Sequence, residues 1–71
     1  MHSKYLIKTI KARRDMLNVT QDALADLSGV GLRTLKQFES GKGNPTLETL
    51  HKLGNVLGME LTFTVKKLTT K

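Results

Sequence analysis

A chain of 71 residues holds one domain, and its core is thin enough that a second copy becomes a natural source of stability. It contains no cysteine, which excludes a disulfide framework and any thiolate-bound zinc and fits a reducing compartment. Twelve Lys and Arg against six Asp and Glu leave a net charge of +6, a balance that suits a polyanion partner or simply aids solubility. No run approaches the ~18 apolar residues of a membrane span, and Lys8 and Lys11 interrupt any signal-like apolar core, so a cytoplasmic location is expected.

Met1 to Ser3 form a loose start, with Ser3 available as an N-cap. A first helix is expected over Lys4–Leu17. Leu6, Ile10, Arg13 and Leu17 share one face with Ile7 beside them, while Lys4, Lys8 and Lys11 lie mostly elsewhere. Those lysines read most simply as a solvated face, with phosphate contact near the N-terminal end as the alternative. Asn18 and Val19 lead to Thr20, the N-cap of a second helix that ends near Leu27 or Ser28. There Leu24 and Leu27 are apolar at helical spacing, Asp22 and Asp26 face out, and Ala25 is small where another helix must pass. Gly29-Val30-Gly31 make a turn, with Gly29 at a place suited to positive φ.

A third helix is expected over Leu32–Ser40. Leu35 and Phe38 turn inward, Leu32, Arg33, Lys36 and Gln37 outward, and Thr34 lies at the flank. Gly41 caps it, and Gly41 to Pro45 form a loop that lacks the preceding strand and the spacing of a nucleotide-binding loop. Pro45 and Thr46 open a fourth helix that runs to about Leu57, with Leu47, Leu50, Leu53, Gly54 and Leu57 as its packing face and Gly58 as its stop. Met59 to Lys66 then alternates with period two, the pattern of a strand. Nothing else in the chain reads as a strand, and a lone edge invites pairing with another copy. An antiparallel strand pairing across a homodimer is therefore expected, with Met59, Leu61, Phe63 and Val65 at the interface. The domain covers residues 1–66, and residues 67–71 read as a disordered tail.

Two short helices joined by a tight turn between Thr20 and Gly41 make a helix-turn-helix. In that docking mode the second helix of the unit reads base edges in the major groove. Leu32, Arg33, Lys36 and Gln37 are the candidate base readers. Arg33 has the fork for guanine O6 and N7, and Gln37 the carboxamide for adenine N6 and N7. Lys36 suits a guanine or a phosphate. Leu32 suits a thymine methyl or the core. Thr20, Gln21, Thr34, Lys42 and Asn44 are the candidate phosphate contacts, with Gln21 at a helix N-terminus where free N–H groups and the dipole favour an anion.

Thr20-Gln21, Leu24-Ala25, Ser28-Gly29-Val30, Leu35 and Phe38-Glu39-Ser40-Gly41-Lys42 resemble the lambda-repressor-like (Xre or Cro) helix-turn-helix DNA-binding family. The likeness covers about residues 6–66. GVGLRTLKQFESGK followed by GMELTFTV is most similar to the HipB-type antitoxins of that family. The resemblance implies a mainly α, four-helix domain and a partly buried ion pair between Arg14 and Glu39. It also implies a DNA contact at Gln21, an intermolecular sheet at the C-terminus, and a HipA-type kinase toxin as partner in an autoregulated operon. Two departures stand out. Gly31 replaces the commoner serine, and many family members carry a fifth helix where this chain alternates.

His2 and His51 are the only histidines, and no acidic cluster has the spacing of a metal site. No nucleophile has a base at a recognisable spacing. The expectation is therefore no enzyme and no cofactor, but a homodimeric repressor on an inverted-repeat operator in double-stranded DNA. Two rival readings are a stand-alone phage-type regulator without a toxin and a protein-interaction module that does not bind DNA.

Overall fold

The computed structural model describes residues 3–62 and residue 65. Four helices follow in order: α1 (Ser3–Met16), α2 (Gln21–Ser28), α3 (Leu32–Glu39) and α4 (Leu47–Val56). The two threonines at helix starts act as caps. Thr20 accepts from the Ala23 N–H at 3.0 Å, and Thr46 accepts from the Thr49 N–H at 3.0 Å. Each satisfies one of the donors that a helix start leaves orphaned. The cap at Thr46 sets the start of α4 at Leu47, leaving Pro45 outside it.

Three helices end in the same way. The chain turns left-handed one residue past the cap, at Asn18, Gly41 and Gly58. The next N–H then reaches back across the last turn: Val19 to the Arg14 carbonyl at 3.0 Å, Lys42 to Gln37 at 2.8 Å, Met59 to Gly54 at 2.8 Å. Glycine takes that conformation without strain, and asparagine is the side chain that best tolerates it. Asn18 therefore stops α1 at Met16, one residue before the expected Leu17.

The core consists of Ile10, Leu24, Ala25, Val30, Leu35, Phe38, Leu50, Leu53 and Leu57, with Leu6, Ile7, Val19, Leu32, Val56 and Met59 packed against it. It is built where α2 meets α3 and α4 and where α1 meets α3. Val30 is buried in the turn between α2 and α3, and its N–H finds the Ser28 hydroxyl at 3.1 Å. An apolar turn residue is thus sunk into the core without orphaning its backbone donor.

Three leucines expected inward are exposed. Leu27 is 68% and Leu47 63% exposed, and Leu17 lies beyond the end of α1. The buried face of α2 runs through Leu24 and Ala25. At ~100° per residue Leu27 lies well around the helix from that face. Leu47 occupies the first turn of α4, past the edge of the core.

The expected strand is only partly within the described residues. Residues 59–62 carry no strand, and Phe63, Thr64, Lys66 and the tail from 67 to 71 lie outside the described residues. Met59 packs on the core, Leu61 is exposed, and Val65 is 96% exposed. A strand is defined by backbone pairing, and among the described residues of one chain no second strand exists to pair with.

Candidate nucleic-acid interface

α3 has two unlike sides. Leu35, Phe38 and Glu39 are buried, whereas Arg33, Thr34, Lys36 and Gln37 are exposed. Leu32 is half-buried and packs against the core, so it presents less of itself than its neighbours. The inward residues lock the helix onto the domain, and the outward four form a polar and cationic row on a rigid support.

A hollow lies on each flank of that row. On one flank Thr34, Gln37, Lys42, Gly43, Asn44 and Pro45 line a small depression, so the loop after α3 stands beside two α3 side chains. On the other flank Lys11 and Arg14 of α1, Gln21 of α2, and Lys36, Glu39 and Ser40 of α3 line a second one. The candidate base readers therefore sit between two walls that carry the candidate backbone contacts. Thr20 is exposed at the start of α2, its hydroxyl oxygen already accepting from the Ala23 N–H.

The floor of the α1 flank is a hydrogen-bonded cluster. Arg14 Nε donates to Glu39 Oε2 at 2.9 Å, and Arg14 Nη2 donates to Glu39 Oε1 at 2.8 Å. Arg14 Nη1 donates to the Val19 carbonyl at 3.0 Å. Gln21 Nε2 donates to the same Glu39 Oε1 at 2.9 Å. The fork of the guanidinium matches both carboxylate oxygens, which a lysine could not do. The Glu39 side chain is 3% exposed, and no buried side-chain polar atom among the described residues lacks a partner. The hydrogen bond to Glu39 raises the Arg14 pKa above its ordinary, already basic value; burial opposes this, and the charges of Glu39 and Asp15 add to it.

Gln21 thus spends one donor inside the protein, a tie that joins residues on different helices and has no signature in sequence spacing. Arg13 has a role that sequence spacing does not assign. It shares the apolar face of α1, yet its Nε donates to the Leu57 carbonyl at 2.8 Å and closes the end of α4. The available signal was an arginine inside an otherwise apolar stripe.

Of the residues expected at a dimer contact, Met59 and Leu61 lie away from α3. Leu61 and Thr62 join Leu47, Glu48 and His51 in a shallow, mainly apolar depression. It continues into a groove where Met59 and Leu61 meet Tyr5, Leu6 and Ile10. Tyr5 is exposed there. Among the described residues, no helix is long and apolar enough to cross a membrane.

Comparison with known proteins agrees with this geometry. A family model described as helix-turn-helix matches residues 10–63. The cryptic phage CTXphi transcriptional repressor RstR of Vibrio cholerae is 39% identical over 49 residues, covering 69% of this chain and 44% of that protein. An uncharacterized HTH-type transcriptional regulator of Haemophilus influenzae is 43% identical over 56 residues, covering 79% of this chain and 57% of its own length. The SPbeta prophage-derived uncharacterized HTH-type transcriptional regulator YonR of Bacillus subtilis is 35% identical over 57 residues, covering 80% and 53%. The chain thus spans about half the length of these relatives. With the family model covering most of its length and the recognition-type α3 exposed as described, the chain belongs to the lambda-repressor-like (Xre/Cro) helix-turn-helix family, whose members are non-enzymatic DNA-binding domains.

Proposed function

We propose that the chain is a sequence-specific transcriptional repressor that binds an inverted-repeat operator as a homodimer. The observation that carries this reading is α3 itself. Leu35 and Phe38 anchor it in the core while Arg33, Thr34, Lys36 and Gln37 stand outward between two walls of polar and basic residues. Arg33, Lys36 and Gln37 would choose sequence, with Leu32 touching the groove edge. Thr20, Gln21, Thr34, Lys42 and Asn44 would set register on the phosphates.

The homodimer rests on the alternating tail and on the apolar depression beside Leu47 and Leu61. Residues 59–66 of two copies would pair antiparallel into one intermolecular sheet. A two-fold dimer requires half-sites a whole number of helical turns apart, at about 34 Å per turn. The phage repressor from Vibrio cholerae and the prophage regulator from Bacillus subtilis favour a phage-type regulator. The finer reading, an antitoxin for a HipA-type kinase, rests on the resemblance of GVGLRTLKQFESGK followed by GMELTFTV. A toxin-kinase reading frame beside the gene would support it.

Selection from a random duplex pool tests the function directly. An enriched inverted repeat supports the dimeric repressor. Enrichment of a single half-site would keep DNA binding and remove the dimer as the bound form. No enrichment at moderate salt would leave the protein-interaction module as the better reading.

A further inference from the structure

The basic face of α1 is placed where the proposed interface needs charge and where the helix itself does not. Lys4, Lys8 and Lys11 recur at intervals of four and three, so they form one row along α1. All three are exposed. Their charge works against the helix on two counts. Lys4 lies in the first turn, which holds no acidic residue and where the dipole disfavours a cation. Like charges at i, i+4 and i, i+3 also repel one another. No carboxylate relieves them: among the described residues the ion pairs are Arg14–Asp15, Arg14–Glu39 and Lys52–Glu48. Asp15, four residues beyond Lys11, faces Arg14 at 3.7 Å.

The row ends at the interface. Lys11 lines the same hollow as Gln21 and Lys36, on the flank of α3 opposite Lys42 and Asn44. A helix seated in a major groove has one phosphate strand on each side. With α3 so seated, the loop after α3 would face one of them and the Lys11 end of α1 the other. Seven residues of helix span about 10 Å, enough for the row to meet more than one phosphate of a strand.

We infer that Lys4, Lys8 and Lys11 form a phosphate-tracking row that follows the DNA strand on the α1 side of α3 and extends the contact beyond the half-site read by α3. The inference rests on the DNA-binding reading above. Its charge is sequence-blind, so it adds affinity and salt sensitivity without adding base preference.

The test uses the full chain and a variant carrying Lys4→Gln, Lys8→Gln and Lys11→Gln. Binding to the selected duplex is measured from low to moderate salt. The plot of log K against log salt should be shallower for the variant by about two to three units per bound chain. The base preference recovered from the random pool should be unchanged, and the melting temperature unchanged or higher, because three repelling charges are gone. Ethylation interference should lose phosphates on one side of each half-site only. An equal salt slope would overturn the row while leaving DNA binding intact. A lower melting temperature with altered base preference would overturn it as well, by showing that the lysines support the fold. A wild-type chain that binds no duplex would overturn the DNA reading and the row together.

Discussion

Glu39 is nearly sealed from solvent, and its two oxygens receive three hydrogen bonds from Arg14 and Gln21. Removing the cation leaves that carboxylate buried without compensation. Arg14→Ala should therefore cost about 3–5 kcal/mol, read as a lower urea midpoint. Arg14→Lys should fall between, since it keeps the charge and loses the fork. The sign of the pH dependence follows from the raised Arg14 pKa. A cation held by the fold contributes fully below its unfolded pKa and loses that contribution only as pH rises through the folded value. Both values lie at the strongly alkaline end, so the Arg14 contribution should stay flat from pH 6 to 9 on the scale of about a pH unit per step. Arg33 is the opposite case, exposed and outside the ion pairs found among the described residues. Arg33→Ala should leave the melting temperature in place and relax base preference at one position of each half-site, by about 1–3 kcal/mol in competition binding. Exposure of Arg33, Lys36 and Gln37 was legible from periodicity. The role of Gln21 Nε2 was not, because it depends on how two helices cross.

The helices were legible to within a residue or two, because caps and stops are local. Thr20 and Thr46 as N-caps, and Gly41 and Gly58 as stops, are visible in the sequence itself. Which face of each helix is buried was harder at the ends. Leu27 and Leu47 belong to an apolar periodicity, but each lies where the core has already run out. Gly58 offers an element-scale prediction. Its φ is +72°, and a Cβ there would come within 3.4 Å of Arg13 Nη2. Gly58→Ala should cost about 1–2 kcal/mol through the left-handed backbone alone, visible as a melting temperature lower by roughly 4–8 °C per kcal/mol. The same change should loosen the Arg13 bond to the Leu57 carbonyl and so fray the end of α4 in hydrogen exchange.

At the scale of the whole molecule, the alternating tail predicts a strand paired with a second copy, whereas residues 59–62 of the single chain carry no strand, since a lone segment has no neighbour to complete a ladder. Leu61 is exposed in the single chain and central to the proposed dimer. Leu61→Asp should therefore leave the helical circular dichroism unchanged while converting the dimer to a monomer in sedimentation velocity. Affinity for a full operator should fall far more than affinity for a half-site. A wild-type chain that sediments as a monomer at all concentrations would remove the strand-paired dimer. The net charge of +6 divides along the same lines. Lysines crowd the flanks of α3, while Tyr5, Leu47 and Leu61 mark a more apolar side that Glu48 and Glu60 border.

The Arg14–Glu39 pair is not interchangeable with its mirror image. Exchanging the two residues would conserve charge, yet Gln21 would then face a cation instead of a carboxylate. Its carboxamide would have to turn end for end and offer oxygen where it now offers nitrogen. The outward half of the group would reverse polarity with it, at the first residue of α2. A lineage that traded the pair would have to turn or replace Gln21 in the same stroke. Arg14, Gln21 and Glu39, on three helices, thus form a single inherited arrangement rather than three independent choices.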